Sequence, residues 1–151
     1  MTKTNKIVKM CVFAMLLTMI VSIVSINVGA KNNIDSPFSY ELTGGDNFKT
    51  PFRDKEDDSS VYMKCINATG SYEARVYSGP RNAGAVDVSF GYHYHFVQGN
   101  ARFMYNYAYE CGYDIAAVFA TTRNNGTVAS GVWSPDSVWE AGVLPASDFI
   151  K

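Results

Sequence analysis

The chain is short of the residue types that most often carry catalysis and metal binding. Its 151 residues include two histidines and three cysteines, and 18% of them are charged. Nucleophilic catalysis needs an activated serine or cysteine with a base in reach. The sequence contains neither a Gly-x-Ser-x-Gly elbow nor a free cysteine beside a histidine. We therefore expect a protein that is not an enzyme and that uses no cofactor.

Long hydrophobic runs are also scarce, and the one present lies at the start of the chain. Three lysines within the first nine residues precede an apolar stretch over 10–26, and small residues close the segment at Ala30. This is the layout of a secretory signal. We expect cleavage after Ala30, which makes 1–30 a signal peptide and 31–151 a single secreted, extracellular domain. The alternative is an uncleaved anchor, because the run approaches the roughly 18 to 20 apolar residues that cross a bilayer.

Positive charge is sparse in the chain that would remain after cleavage at Ala30. Loss of the first thirty residues removes three lysines and leaves ten basic against fourteen acidic residues, a net charge of −4. Nucleic-acid binding requires a basic patch or stripe, and none remains. We expect no nucleic-acid partner, and membrane contact only through an uncleaved signal. The partner left open is an unknown extracellular or cell-wall molecule.

Only two cysteines remain once the signal peptide, which contains Cys11, is removed. Cys65 and Cys111 are then predicted to form a disulfide, because exported proteins mature in an oxidising environment. In the chain-entropy model, this bond would stabilise the fold by about 4 kcal/mol. The alternative is two free buried thiols. A metal site is a weaker alternative, because neither cysteine has a second ligand at close spacing.

Short alternating segments between glycine, proline and polar turns predict a mostly β protein. A strand around 61–66 is predicted to turn at 67–71 into a partner strand over 72–78. Asn125-Gly126 is typical of a hairpin between strands over 115–122 and 127–133. Six or seven such strands on one core predict a single antiparallel β-sandwich. The ending, 135–151, is predicted to be a strand remnant plus a loose tail.

The most regular pattern is a pair of aromatic runs. If Gly99-Asn100 forms a two-residue turn, the runs make a hairpin in which every aromatic side chain faces another. The same ladder would place Val88 across from Cys111. The alternative is a short helix over 101–111 that begins at Asn100 and ends before Gly112. The predicted hairpin pairs are Phe96 with Phe103, Tyr94 with Tyr105, Tyr92 with Tyr107 and Phe90 with Tyr109.

Candidate metal ligands are few and weak. His93 and His95 share one face of a predicted strand, but two ligands are too few for a closed zinc site. An acidic loop offers the hard oxygen ligands that calcium prefers, although its spacing fits no complete calcium loop. We expect no metal. The acidic residues of this loop are Asp54, Glu56, Asp57 and Asp58.

Aromatic residues are in excess. The ten tyrosines exceed what the core of a small domain usually takes, and tyrosine tolerates a wet interface. Tyr62 and Tyr77 are predicted to point away from the apolar residues of their strands. Trp133 and Trp139 lie near the end of the chain. These four residues are the candidate binding surface.

Several short motifs between Ala101 and Val138 resemble an uncharacterised family of small exported proteins of Gram-positive bacteria, the domain of unknown function, family twenty-seven-twelve. The resemblance extends more loosely to Ser59-Ser60-Val61-Tyr62. It implies no activity, ligand or site residue. Cys111 stands where that family often has a polar residue, which makes the predicted disulfide a feature of this chain. The motifs are Tyr105-Asn106-Tyr107, Glu110-Cys111-Gly112-Tyr113 and the run from Ala129 through Trp133-Ser134-Pro135-Asp136 to Val138.

Two functions follow as expectations. The first is an extracellular interaction module that binds a cell-wall or protein partner through its aromatic face or acidic loop. The alternative is a bacteriocin-like secreted antagonist of competing bacteria. The chain is similar to lactococcin-like bacteriocins in being small, exported and β-rich, with aromatic strands and a Gly-x-Trp near the end. The first predicts a retained partner and the second predicts growth inhibition.

Overall fold

Ten short strands make up the fold. The computed structural model describes residues 32–44, 48–123 and 125–150, so the predicted signal segment, 1–30, lies outside the described residues. In the described part, no helix is long and apolar enough to cross a membrane. The strands are β1 (Ser36–Leu42), β2 (Phe48–Lys49), β3 (Arg53–Asp54), β4 (Val61–Ala68), β5 (Tyr72–Gly79), β6 (Val86–Asp87), β7 (Tyr94–Phe96), β8 (Ala101–Met104), β9 (Ile115–Thr121) and β10 (Thr127–Ser134).

The strands form two antiparallel sheets that pack against each other. Sheet A has the order β1-β10-β4-β8. Sheet B has the order β2-β9-β5-β6, with β3 also pairing with β9 and β7 with β5. The predicted β-sandwich is confirmed. It has more strands than the six or seven expected, because β2, β3, β6 and β7 are two or three residues long, too short to show an alternating pattern.

The core lies between the two sheets and is filled by alternate residues of each long strand. In β5, Tyr72, Ala74 and Val76 are buried, whereas the intervening side chains are half-buried on the outer face. Fully burying one large apolar side chain stabilises a fold by about 1.5 to 3 kcal/mol, so this alternation sets the register. The largest side chains that are fully buried are Trp133, Tyr72, Tyr94, Phe96, Leu42, Met63 and Met104.

The turns between β4 and β5 and between β9 and β10 pass from one sheet to the other, so the hairpins predicted at these two places are wrong. β4 lies in sheet A and β5 in sheet B, and β9 and β10 are divided in the same way. After the turn at Asn125-Gly126, the Gly126 N–H donates to the carbonyl of Leu42 at the end of β1. Each of these two turns therefore carries the chain across the core to the opposite sheet.

The aromatic hairpin predicted around Gly99-Asn100 is wrong for the same reason. β7 pairs with β5, and β8 pairs with β4. The turn itself bonds to β4, because the Gly99 N–H donates to the Cys65 carbonyl and the Cys65 N–H donates to the Asn100 carbonyl. The aromatic rings have other partners: Phe96 stacks on Tyr72, Tyr92 stacks on Phe149, Phe103 packs at a tilt against Tyr62, and Phe90 contacts Tyr107 edge to face.

The alternative helix over 101–111 is also wrong, although its last turn exists. Residues 101–104 form β8, and Asn106 Oδ1 then accepts a hydrogen bond from the Ala108 N–H. The Gly112 N–H donates to the Tyr109 carbonyl and the Tyr113 N–H to the Ala108 carbonyl. Gly112 has φ +71°, so the turn that ends at this residue has the geometry of a glycine-capped helix C-terminus, although no helix precedes it.

The C-terminal segment, defined as residues 143–150, is tied to both sheets instead of being loose. The Leu144 N–H donates to the Ala101 carbonyl, and the Leu144 carbonyl accepts from the Phe103 N–H, so the segment covers the outer edge of β8. Ile150 forms a bridge with His93 ahead of β7. Covered edges are protected from pairing with other chains, so the segment closes this side of the sandwich.

The predicted disulfide between Cys65 and Cys111 is not formed, because both residues are free cysteines. Cys65 is buried on the inner face of β4, and burial raises the pKa of its thiol. Lys64 pairs with Ala101 and Val61 with Met104, so β8 leads the chain away from Cys65. Cys111 follows beyond the far end of this pair and is exposed.

Alkaline pH is expected to unfold the protein together with ionisation of its core tyrosines. Burial raises the pKa of Tyr40 and Tyr72 well above the usual value for phenols, and that of Tyr94 to about 12. The unfolded chain releases these protons near pH 10, so stability is fully present below that pH. It then falls by up to about 1.4 kcal/mol per pH unit for each phenol that stays protonated. The last part of the phenolate absorbance should therefore appear together with the loss of the circular dichroism signal. Phenolate absorbance equal to that of all ten tyrosines while the fold persists would contradict this expectation.

Candidate binding groove

The four residues of the predicted binding surface lie in three places. Trp133 alternates with Ala129 and Gly131 along β10, faces the core and is fully buried, so its assignment to a surface is wrong. Tyr77 lies on the outer face of sheet B and stacks on Phe119, with 3.9 Å between ring centroids. Tyr77 is therefore separated from Tyr62 by the thickness of the sandwich, whereas Trp133 belongs to the same sheet as Tyr62 but points into the core.

Tyr62 and Trp139 do belong to one region, the outer face of sheet A. Trp139 is 83% exposed, as the sequence predicts. Tyr62 points outward from β4 but is only 7% exposed, because the chain that follows β10 lies over it. Tyr62 also packs against Phe103 of β8, with 6.0 Å between ring centroids.

Three adjoining depressions form a groove on this face, which we call the sheet A groove. Their volumes are about 270, 290 and 330 Å³. Strands β4 and β8 supply the floor, and residues 137–146 supply the wall. The first and third depressions share Tyr62 and Glu140, and the second and third share Val143. The groove is lined chiefly by Asp35, Tyr62, Phe103, Trp139, Glu140 and Val143.

The two carboxylates of the groove influence each other and the phenol between them. Burial raises the pKa of Asp35, and the charge of Glu140 adds to that rise, although a hydrogen bond with Ser134 opposes it. Burial, Glu140 and Asp35 together raise the pKa of Tyr62 to about 12. The groove therefore presents two carboxylates and a phenol, with Lys64 as a cation in its third depression, and this set favours ligands with hydroxyl groups over strongly anionic ones.

The histidines lie on sheet B, away from the groove. His93 Nδ1 is 3.1 Å from Glu73 Oε2, and His95 faces Glu73 across the β5–β7 pair. His95 also lines a separate cavity of about 260 Å³ with Thr121 and Arg123. Across residues 32–44, 48–123 and 125–150, no group of three or more His, Cys, Asp or Glu side chains is placed to hold a metal ion.

The acidic loop also fails to converge on one point. Asp54 pairs with Arg81 on the surface. Glu56 and Asp58 are exposed, whereas Asp57 turns inward. The four oxygen ligands that the calcium hypothesis needs therefore point in different directions.

Beneath this loop is a buried ion pair that the sequence did not suggest. Lys55 Nζ lies 2.6 Å from Asp136 Oδ1, and both side chains are fully buried. The ammonium also donates to the carbonyls of Asp57 and Ser59, each at 2.7 Å. Asp136 Oδ2 accepts from the Glu56 N–H at 3.1 Å. Three acceptors satisfy all three protons of the ammonium, as burial of such a charge requires.

Asp57 stands beside this pair. Its carboxylate is 3.5 Å from Lys55 Nζ and accepts from the Ser59 N–H at 2.9 Å. Burial alone would raise the pKa of Asp57, but the hydrogen bonds from Ser59 and the charge of Lys55 outweigh that effect, so the pKa is lowered. The Asp136 carboxyl group lies within hydrogen-bonding reach of Asp57.

Sequence reasoning missed Asp35, Glu140 and the Lys55–Asp136 pair. Asp35 and Glu140 are isolated acids, one just before β1 and one after β10, and no local spacing connects them. Lys55 and Asp136 are 81 positions apart. A signal was present for Lys55 alone, because a single lysine among acids is a natural ion-pair partner.

A family model described as Protein of unknown function (DUF2712) matches residues 25–137. No curated protein and no solved structure matches the chain. The matched range contains all ten strands and the Lys55–Asp136 pair. It ends just before Trp139 and Glu140, so the floor of the sheet A groove lies inside the match and much of its wall lies outside.

Proposed function

The chain belongs to the DUF2712 family of proteins of unknown function, and we propose that it is a secreted, non-enzymatic interaction module that binds cell-wall glycan in the sheet A groove. The observation that carries the proposal is Trp139, a large apolar side chain that is 83% exposed at the side of a groove. Exposed aromatic side chains beside concave surfaces mark binding sites, because leaving them in water is unfavourable.

The composition of the groove favours a sugar polymer. The flat apolar face of a sugar ring can stack on the Trp139 indole, in the way that aromatic rings serve amphipathic ligands. The hydroxyl groups at the ring edge can donate to Asp35 and Glu140, which act purely as acceptors when they are ionised. An acidic groove in a domain of net charge −4 disfavours phosphate-rich polymers.

The groove is preformed. Its floor is held by strand pairing between β4 and β8. Its wall is anchored where Leu144 bonds to Ala101 and Phe103, and where Arg102 Nη1 donates to Asp148 Oδ2 at 2.6 Å. Preformed sites lose less conformational entropy on binding, which supports a module that recognises a repetitive polymer.

Replacing Trp139 by alanine is expected to reduce retention on insoluble wall glycan at least tenfold. The indole supplies most of the stacking area, and aromatic anchors dominate such contacts. Purified protein is mixed with wall glycan stripped of protein, the glycan is sedimented, and the bound fraction is measured over a concentration series. Fold is monitored by circular dichroism, because Trp139 is exposed and its loss should leave the fold intact.

The matched control is Tyr109→Ala, which removes another exposed aromatic residue outside the groove. It should bind as the native protein does. Equal loss in both variants, or no saturable binding by native protein, would contradict the proposal. Growth inhibition of related strains by a protein that does not bind wall glycan would instead favour the bacteriocin-like antagonist.

A further inference from the structure

The buried Lys55–Asp136 pair has the arrangement of reactants for a covalent bond. An amine nitrogen and a carboxyl group are held 2.6 Å apart, nitrogen to oxygen, with no exposure of either side chain to water. Amide formation between free side chains in water is opposed by solvation of both charges and by the entropy of bringing them together. Burial and fixed geometry remove both obstacles.

We propose that Lys55 and Asp136 form an intramolecular isopeptide bond between Lys55 Nζ and Asp136 Cγ, with Asp57 as the catalytic residue that moves the protons. The bond joins the loop before β4 to the chain just after β10. It is an addition to the binding function proposed above and does not depend on it.

Asp57 is placed to accept the first proton. Its carboxylate is 3.5 Å from Lys55 Nζ, so a small movement of the side chain brings it within reach of an ammonium proton. Transfer of one ammonium proton to Asp57 leaves Lys55 with a free electron pair. Asp57 is within hydrogen-bonding reach of Asp136, so the same proton can pass to the Asp136 carboxylate and convert it to a neutral acid. Low-dielectric surroundings favour this exchange of an ion pair for a neutral pair.

The bond then forms by addition and loss of water. The Lys55 nitrogen attacks Asp136 Cγ, and a tetrahedral intermediate with one negatively charged oxygen results. The Glu56 N–H, 3.1 Å from Asp136 Oδ2, is positioned to stabilise that oxygen. Asp57 takes the second nitrogen proton and delivers it to the departing hydroxyl. The C–O bond breaks, one water leaves, and Asp57 returns to its ionised form.

The reaction is balanced without a further reagent. An ammonium and a carboxylate become one amide and one water, with no change of oxidation state and no need for a nucleotide or metal. Asp57 is partly exposed, with 17% of its side chain accessible, so the released water has a short path to solvent.

Peptide mapping of the full-length protein, purified from its producing cells, tests the bond. Trypsin does not cleave after an acylated lysine, so the linked protein should yield residues 54–64 joined to residues 124–151. The joined peptide should weigh one water less than its two parts together, and fragmentation should locate the link at Lys55 and Asp136. Linear peptides 56–64 and 124–151 alone would overturn the proposal.

Variants separate the roles of the three residues. Lys55→Arg keeps the positive charge but cannot form the amide, so only linear peptides should appear. Asp57→Asn keeps an acceptor for the Ser59 N–H but cannot carry protons, and its linked fraction should fall at least tenfold at equal time after synthesis. Asp58→Asn, an exposed neighbour, should link as the native protein does. Full linkage in Asp57→Asn would overturn the assigned role of Asp57.

Discussion

Asp136→Ala is expected to destabilise the protein by about 3 to 5 kcal/mol relative to native protein in which Lys55 and Asp136 are not yet joined. The substitution leaves the Lys55 nitrogen fully buried with its closest acceptor removed and the Glu56 N–H without a partner. Removing one member of a buried pair is costly because the other must then stay charged in a low-dielectric site or lose its proton. Urea unfolding followed by circular dichroism gives the change in free energy.

The control for this prediction comes from the same loop. Asp58 is exposed, and Asp58→Ala should change stability by no more than about 0.5 kcal/mol. The double variant Lys55→Met with Asp136→Leu should regain much of the stability lost in Asp136→Ala, because apolar pairs often replace buried ion pairs at little cost. An Asp136→Ala protein as stable as the Asp58→Ala control would show that the pair does not hold this loop.

Gly131→Ala is expected to destabilise the fold by roughly 3 kcal/mol or more, as overpacking against rigid neighbours does. A Cβ at position 131 would overlap the backbone oxygen of Lys64 and lie 2.9 Å from Cε1 of Phe38. The register between β10 and β4 shifts between Ser130 and Gly131, so the close approach belongs to a β-bulge. Neither β1 nor β4 can move away without breaking its pairing with β10.

Gly84→Ala is the matched control. A Cβ at position 84 meets nothing within 4 Å, and the backbone there needs no positive φ. Its stability should stay within about 0.5 kcal/mol of the native value. Thermal unfolding of the two variants side by side separates local crowding from a general cost of adding a methyl group. A mild effect at position 131 would mean that β10 can shift in the sheet.

Local sequence patterns predicted the strands well and their partners poorly. Alternation and turn signals identified β4, β5 and β10, whereas β9 was identified by its continuous apolar run. The same alternation cannot say which sheet a strand joins, since both sheets present apolar faces to one core. Turn signals such as Gly99-Asn100 predicted a change of direction correctly. They could not distinguish a hairpin from a crossing between sheets.

Some features of the candidate site could likewise be predicted from the sequence, and others could not. Exposure of Trp139 was predictable because it follows the last strand in a polar stretch. Burial of Trp133 could have been read from its alternation with Ala129 and Gly131, which places it on the inner face of β10. The carboxylates of the groove and the Lys55–Asp136 pair could not be predicted, because the contacts that unite them join distant parts of the chain.

Binding of wall glycan in the sheet A groove, as proposed above, can be followed residue by residue in a nuclear magnetic resonance titration. Isotope-labelled protein is titrated with soluble wall-glycan fragments, and shifts of the side-chain and backbone signals are followed. Saturable shifts are expected for the Trp139 indole and for residues around Tyr62 and Phe103, with none at Tyr77 and Phe119 on sheet B. Shifts confined to sheet B, or none at fragment concentrations that saturate binding to the insoluble glycan, would contradict the proposal.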